Sequence, residues 1–185
     1  MIFVHLYNDS SGSPRVLSSV IDSLSDRDEK NVLFLGSSGN GLLGKLDIPK
    51  VRFFYPRFSN KYIVLFFFII SQIILFFSLI FSSKTRGQDI VYVNTVLPFG
   101  AALYAKFSRK RLIYHIHECG LSPPILFKVL LWISDTLSDQ QIYVSQTHKH
   151  IVNSSCNEQF VLNNCVSKTI YNHSQSNDYL SSDKF

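Results

Sequence analysis

Polar residues follow two apolar runs near the middle of the chain. The run from Ile90 to Val93 ends in Asn94, and the run from Arg111 to Ile116 ends in His117 and Glu118. An imidazole beside a carboxylate can move protons or orient hydroxyl groups through hydrogen bonds. We therefore take His117 and Glu118 as candidate catalytic residues and Asn94 as a candidate cleft residue. A hydrogen-bonded strand-end histidine and a helix-capping or salt-bridged glutamate are the structural alternatives.

Metal and disulfide chemistry have weaker support. His115 and His117 are two residues apart and would share one face of an extended strand, which makes a metal pair conceivable. No carboxylate or cysteine spacing completes such a site, so we predict neither a metal nor a cofactor. The three cysteines, Cys119, Cys156 and Cys165, form no C-x-x-C spacing and are odd in number. They indicate reduced thiols in a cytosolic protein.

Two further groups of residues have plain interpretations. Three glycines follow the second apolar run: Gly36, Gly39 and Gly41. Their order is not that of a dinucleotide-binding fingerprint, so we predict an ordinary loop. His148 and His150 flank Lys149 on a predicted helix, and we expect both to be solvated.

Strands alternate with helices along the chain. The predicted strands cover residues 2–7, 31–35, 50–55, 90–93, 111–116, 141–144 and 159–162, and predicted helices include 98–107, 124–137 and one beginning at 147. Ser13 is suited to cap the first helix, with Pro14 in its first turn. This alternation predicts an α/β fold with a doubly wound, Rossmann-like parallel sheet. Ligands of such sheets lie beyond the carboxyl ends of the strands, where the polar candidates stand.

Residues 62–81 contain no charge, and twenty residues are enough to cross a bilayer as a helix. A true span would put the first three strands on one side of the membrane and the remaining strands on the other. A helix of this length would be about 30 Å long and would protrude beyond a sheet. With basic flanks at both ends, interfacial attachment to a membrane is favoured over a wholly buried crossover helix and over a real span.

Length and composition indicate one domain. The chain has 185 residues and a formal net charge of +5. Its N-terminus lacks the features of a signal peptide. A basic cluster at 106–111 could meet anionic lipid or phosphate or be a solvated helix end, and no pattern typical of nucleic-acid binding accompanies it. Residues 1–166 form the predicted domain, and the polar, aperiodic residues 167–185 resemble a linker.

Four segments in order carry a family resemblance: DIVYVNTVLPFGAALYAK, RLIYHIHE, QIYVSQTHKHI and FVLNNCVS. Together they resemble the N-terminal half of GT-B glycosyltransferases of family 4, which build surface polysaccharides. The resemblance covers most of the chain and is strongest from residue 89 to 167. It implies two facing Rossmann-like domains, of which this one grips a saccharide or lipid-linked acceptor while the other holds a nucleotide-sugar.

The resemblance also implies roles for particular residues. The loop Ser11-Gly12-Ser13 resembles the small-residue loop that approaches the donor phosphates, with one glycine where the family has a pair. Gly12 and Ser13 are therefore the candidate donor-binding residues. His117 matches a histidine near the transferring sugar, Ser145 a serine in the cleft, and Asn164 an asparagine that opens the connection to the second domain. The cleft edge that carries Gly12, Asn94, His117 and Ser145 should be polar and exposed.

By the same resemblance, the donor domain should begin after residue 185 and is absent from this chain. The chain is then expected to be a truncated product, a fragment or one half of a split enzyme with a separate C-terminal half. Its expected place is the cytoplasmic face of the inner membrane, as a peripheral protein. The alternatives from other classes are a non-catalytic membrane-attached binding or scaffold subunit and a small single-span membrane protein.

Overall fold

A computed structural model describes residues 1–24, 30–37 and 39–163. Within them, strands and helices alternate. The strands are β1 Ile2–His5, β2 Val32–Gly36, β3 Lys50–Phe53, β4 Ile90–Asn94, β5 Arg111–Ile116, β6 Gln140–Tyr143 and β7 Gln159–Val161. The α-helices are α1 Gly12–Leu24, α2 Lys61–Phe81, α3 Phe99–Phe107, α4 Pro124–Leu137 and α5 Gln146–Val152, with short 3₁₀ turns at Leu42–Lys45 and Ser83–Thr85.

All seven strands are parallel and form one sheet in the order β3-β2-β1-β4-β5-β6-β7. The direction of strand addition reverses at β1, where Ile2 is in register with Val32 on one side and with Val91 on the other. Such a reversal opens a crevice at the carboxyl ends of the two central strands. The predicted doubly wound, Rossmann-like fold is confirmed.

Helices cover both faces of the sheet, which explains why the central strands are mostly apolar. On one face, α1 buries Leu17 and Ile21 against Phe3, Leu33 and Leu35. On the other face, α2, α3 and α4 pack over a larger core; its members include Val4, Phe34, Phe68, Leu75, Ala101, Ala105, Tyr114 and Leu130. This second layer consists of three neighbouring helices side by side.

Helix α1 begins two residues earlier than a cap at Ser13 would allow. Gly12 is already its first residue. Asp9 accepts hydrogen bonds from the backbone N and the Oγ of Ser11, at 2.9 and 2.6 Å, and this turn orders the chain before the helix begins. The prediction that Ser13 caps the helix is therefore wrong, because Ser13 lies inside it.

Helix α2 contains the predicted apolar segment. Asn60 caps it by accepting from Tyr62 N at 2.9 Å. The helix connects β3 to β4, and both strands belong to the same sheet. The residues before α2 and the residues after it therefore lie on the same face of the helix layer. By length and composition alone α2 could cross a membrane, but its path makes it a crossover helix. Of its most apolar 18-residue stretch, 28% is buried inside the protein. Residues 61–66 are all exposed, which agrees with the expected protrusion.

Asn164, Cys165 and the predicted linker 167–185 lie outside the described residues.

Candidate functional site

Asn94, the last residue of β4, connects three elements at the carboxyl edge of the sheet. Its Nδ2 lies 3.0 Å from Nδ1 of His5 at the end of β1 and 3.1 Å from the carbonyl oxygen of Ser13 in the first turn of α1. Its Oδ1 lies 3.0 Å from Nε2 of His117, just past the end of β5. Asn94 is fully buried. The expectation that it lines an exposed cleft is therefore wrong, because all of its polar atoms are used inside the protein.

This network determines which proton His117 carries. The amide nitrogen of Asn94 donates to His5 and to Ser13, so its oxygen accepts from Nε2–H of His117. Burial, with smaller contributions from the neighbouring His115, His5 and His148, lowers the pKa of His117 to about 3. The imidazole is thus neutral at physiological pH. Its Nδ1 makes no hydrogen bond to any described residue and has a free lone pair.

Glu118 joins two loops instead of standing free. Its Oε2 accepts from the backbone N of Val96 and from the backbone N of His117, each at 3.2 Å. Burial raises the pKa of the carboxyl, and the backbone hydrogen bonds oppose that rise. These contacts hold the end of β5 against the loop that follows β4, and they give Glu118 a positioning role toward His117.

His148 belongs to the same cluster, which the sequence did not indicate. The side chain is buried, and its Nε2 donates to the carbonyl oxygen of Glu118 at 3.0 Å. The prediction that His148 is solvated is wrong, whereas His150 is exposed as predicted. The apolar neighbours of such a short helix give no clear periodic signal, so only the contact of His148 with the Glu118 backbone identifies the buried face.

Ser145 caps α5. Its Oγ accepts from the backbone N of His148 at 3.0 Å, and its backbone is extended, as is usual for a helix cap. The side chain is half-buried. Its observed contact is therefore structural: it sets the start of the helix that carries His148.

His115 lies beneath His117 in the sheet. It is fully buried, its Nδ1 lies 2.7 Å from the hydroxyl of Tyr92, and its ring centroid is 4.3 Å from that of His117. Burial, with a contribution from His148, lowers its pKa to about 4. Across residues 1–24, 30–37 and 39–163, no group of three or more His, Cys, Asp or Glu is arranged to hold a metal ion.

The loop between β1 and α1 packs against the glycine-containing loop after β2. Asn8 is buried and its Oδ1 accepts from Leu43 N at 3.1 Å. A Cβ at Gly41 would lie 2.0 Å from the carbonyl oxygen of Asp9, so only glycine permits this approach. Gly12 differs, because a Cβ there would meet no atom within 4 Å. The loop that leads into α1 is therefore packed against the loop after β2, while the space beside Gly12 is open.

The site that emerges consists of hydrogen-bonded polar groups at the carboxyl edge of the sheet. Of the predicted residues, Asn94, His117, Glu118 and Ser13 are brought together directly, and Gly12 adjoins them at the start of α1. Ser145 is connected to them through His148. Sequence reasoning missed His5, because the first strand was predicted to continue to residue 7, whereas it ends at His5.

No protein-family model matches the chain. No curated protein sequence matches it either. Solved structures do match in fold. HepE of Anabaena, in complex with UDP and glucose, has 18% sequence identity and a TM-score of 0.60, over 97% of this chain and 50% of that chain. MurG of Acinetobacter baumannii has 10% identity and a TM-score of 0.57, over 88% and 44%. UDP-GlcNAc 2-epimerase of Neisseria meningitidis, bound to UDP-GlcNAc, has 15% identity and a TM-score of 0.58, over 98% and 51%.

At these identities the likeness concerns the fold. The matched structures are GT-B glycosyltransferases and epimerases of the same fold, so the seven-stranded sheet of this chain is a Rossmann-like domain of the GT-B kind. The chain spans about half the length of the structures described above.

Proposed function

We propose that this chain is the N-terminal, acceptor-side half of a family 4-like GT-B glycosyltransferase. It would transfer a sugar from a nucleotide-sugar to a saccharide or lipid-linked acceptor in surface polysaccharide synthesis. One observation carries the proposal: Asn94 holds His117 at the carboxyl edge of the sheet, against the start of α1 and at the strand-order reversal. Ligands of open α/β sheets bind at this position.

The chemistry of the site suits sugar recognition. A histidine with a pKa of about 3 is too weak a base to remove a proton efficiently at neutral pH. The neutral ring can accept a hydrogen bond from a sugar hydroxyl at Nδ1 while Asn94 fixes its other nitrogen. His117 would then act by orienting the transferring sugar, with Glu118 and Asn94 positioning it.

Gly12 and Ser13 are the proposed donor contacts. They form the first turn of α1, where unpaired backbone N–H groups favour a negatively charged group. The open space in front of Gly12 leaves room for a diphosphate to approach the backbone. Gly12 and Ser13 supply only part of a donor site, because this loop has one glycine where the family has a pair. We place the remaining donor contacts on a C-terminal half outside these 185 residues.

Two kinds of observation support the division into halves. The three structures described above cover 88% or more of this chain with about half of their own length, and two of those three contain UDP or a UDP-sugar. A UDP-sugar is therefore the first donor to test. We further propose that the protein works at the cytoplasmic face of the inner membrane, which fits the exposed apolar residues of α2.

Reconstitution tests this function. The chain is mixed with candidate C-terminal halves, and nucleotide release is measured with a panel of UDP-, GDP- and ADP-sugars and with acceptor. Release should require both halves. The chain alone should bind sugar-nucleotide weakly or not at all in calorimetry. Micromolar binding by the chain alone would overturn the assignment of the donor site to the second half.

A further inference from the structure

The outer faces of α2, α3 and α4 form a broad apolar surface, called here the outer helical surface. Phe76 of α2 and Phe107 of α3 join the helices through rings whose centroids are 6.0 Å apart. Six large apolar side chains on these helices are each at least 62% exposed: Tyr62, Phe66, Phe81, Phe107, Ile125 and Trp132. Soluble monomers rarely leave a contiguous apolar area of this kind open.

Helix α2 is apolar on the side away from the protein as well as on the side toward it. The buried stripe includes Phe68, Leu75 and Leu79, and the opposite stripe includes Ile73 and Phe77. The surface helix of a soluble protein normally has polar residues on its outward side. The outward stripe of α2 is therefore suited to an apolar environment outside the protein.

The basic residues around the outer helical surface indicate an anionic partner. From residue 48 to residue 88 the sequence has six basic residues and no acidic residue. Lys61 begins α2, and Lys84 and Arg86 follow its end, where they line a cavity of about 640 Å³ with Lys30 and one acidic residue, Asp47. An apolar stripe with cations at both ends fits a membrane surface that carries anionic headgroups.

The topology fixes how the surface meets a membrane. Helix α2 lies along the sheet for about 30 Å, so its outer side can enter an interface lengthwise. Because α2 returns from the end of β3 to the start of β4, its first turn lies at the same sheet edge as His117. Phe54 and Phe58, exposed in the connection before α2, lie near that edge.

We propose that the outer helical surface docks flat on a bilayer containing anionic lipid, with the edge that carries His117 opening along the membrane surface. A lipid-linked acceptor could then reach His117 without leaving the bilayer; this consequence rests on the proposed function. The docking itself does not depend on catalysis, because it uses residues outside the site.

Vesicle co-sedimentation of the full chain tests the docking. The chain should bind phosphatidylcholine vesicles and bind mixed phosphatidylcholine–phosphatidylglycerol vesicles about tenfold more tightly, since each basic residue near an anionic surface adds to the attraction. The paired variants are Phe77→Glu and Phe160→Glu. Phe77 is 48% exposed on α2, whereas Phe160 is 51% exposed on β7 and points to the other sheet face, because its neighbour Val161 packs under the helices.

Phe77→Glu should weaken vesicle binding about tenfold or more, and Phe160→Glu should leave it unchanged, with both far-UV circular dichroism spectra like that of the parent. Lys84→Glu with Arg86→Glu should remove the preference for anionic vesicles. Equal behaviour of the two phenylalanine variants, or a chain that stays in solution, would overturn the proposal. So would a dimer that Phe77→Glu dissociates in the absence of vesicle binding. If the chain binds vesicles but no sugar transfer is found after reconstitution with any C-terminal half, only the proposed function is contradicted.

Discussion

The Nε2 atom of His117 lies 3.0 Å from Oδ1 of Asn94, and the Asn94 amide nitrogen simultaneously contacts His5 and Ser13. One buried amide thus connects the ends of β1, β4 and β5 with the start of α1. The orientation of that amide fixes the tautomer of His117 and the position of Ser13 together. The candidate sugar contact and the candidate phosphate contact are therefore structurally coupled.

Replacing Asn94 with Ala should destabilise the fold. Three polar atoms, on His5, Ser13 and His117, lose their partner, and an unsatisfied buried polar group costs about 1–3 kcal/mol. We expect the free energy of unfolding to fall by about 3 kcal/mol, measured by urea denaturation. Asn40→Ala, at an exposed asparagine, should change it by no more than about 0.5 kcal/mol. Equal effects of the two variants would show that the Asn94 network contributes nothing to stability.

His117→Ala should reduce turnover in the reconstituted enzyme by one to two orders of magnitude, about 1.4 to 2.7 kcal/mol, because the transferring sugar loses an oriented contact. His150→Ala provides the control, since His150 is exposed on α5. Circular dichroism verifies that both variants fold. Unchanged kinetics in a folded His117→Ala protein would leave His117 with a structural role only.

Acid should destabilise the protein through its buried histidines. Burial lowers the pKa of His115 from 6.5 to about 4, so the unfolded chain binds a proton at a pH where folded His115 stays neutral. Stability is then complete above about pH 6.5 and falls as the pH drops toward 4. At pH 5 the linked loss is about 2 kcal/mol for this one group. His117 and His5, whose pKa values are also lowered, act in the same direction.

The variant that isolates this effect is His115→Gln, whose amide can still meet the Tyr92 hydroxyl. The difference in unfolding free energy between pH 7.5 and pH 5 should shrink by about 2 kcal/mol relative to the parent chain. His150→Gln should leave the difference as it is, because His150 is exposed. A pH dependence that is the same in all three proteins would contradict neutral burial of His115.

Local sequence was sufficient for most of the fold. The strands consist of apolar and β-branched runs, and α4 has the predicted bounds because Pro124 suits its first turn and the apolar period continues to Leu137. Helix α2 was located by its lack of charge. The parallel order followed from the alternation of strands and helices, since parallel strands need such crossovers.

The site was predictable only in outline. Strand ends identified Asn94, His117 and Glu118, but whether such a side chain faces solvent or other protein groups depends on the elements that meet there. Asn94 is buried because the start of α1 packs onto it, and His148 is buried because α5 packs against the residue after His117. Both contacts join residues far apart in sequence, so no local pattern reveals them.

Ser145 provides a test of capping against ligand contact. Ser145→Ala should lose about 1 kcal/mol of stability, because the backbone N of His148 loses its acceptor. Ser145→Asp should restore that stability, since aspartate caps helices equally well. If capping is the whole role, turnover of the reconstituted Asp variant should match the parent. A stable Ser145→Asp protein with turnover reduced more than tenfold would instead assign Ser145 a contact with substrate.

Variants of Gly12 and Gly41 test donor binding and folding separately. Gly41→Ala places a Cβ 2.0 Å from the Asp9 carbonyl oxygen, and this backbone contact cannot move without displacing the loop that leads into α1. The free energy of unfolding should fall by about 3 kcal/mol.

A Cβ at Gly12 meets nothing within 4 Å, so Gly12→Val should change the free energy of unfolding by no more than about 0.5 kcal/mol. In the reconstituted enzyme the same Gly12→Val side chain would occupy the space assigned to the donor diphosphate and should raise the KM for sugar-nucleotide about tenfold or more. An unaltered KM in that stable variant would remove Gly12 from the donor site, whatever the fate of the Gly41 variant.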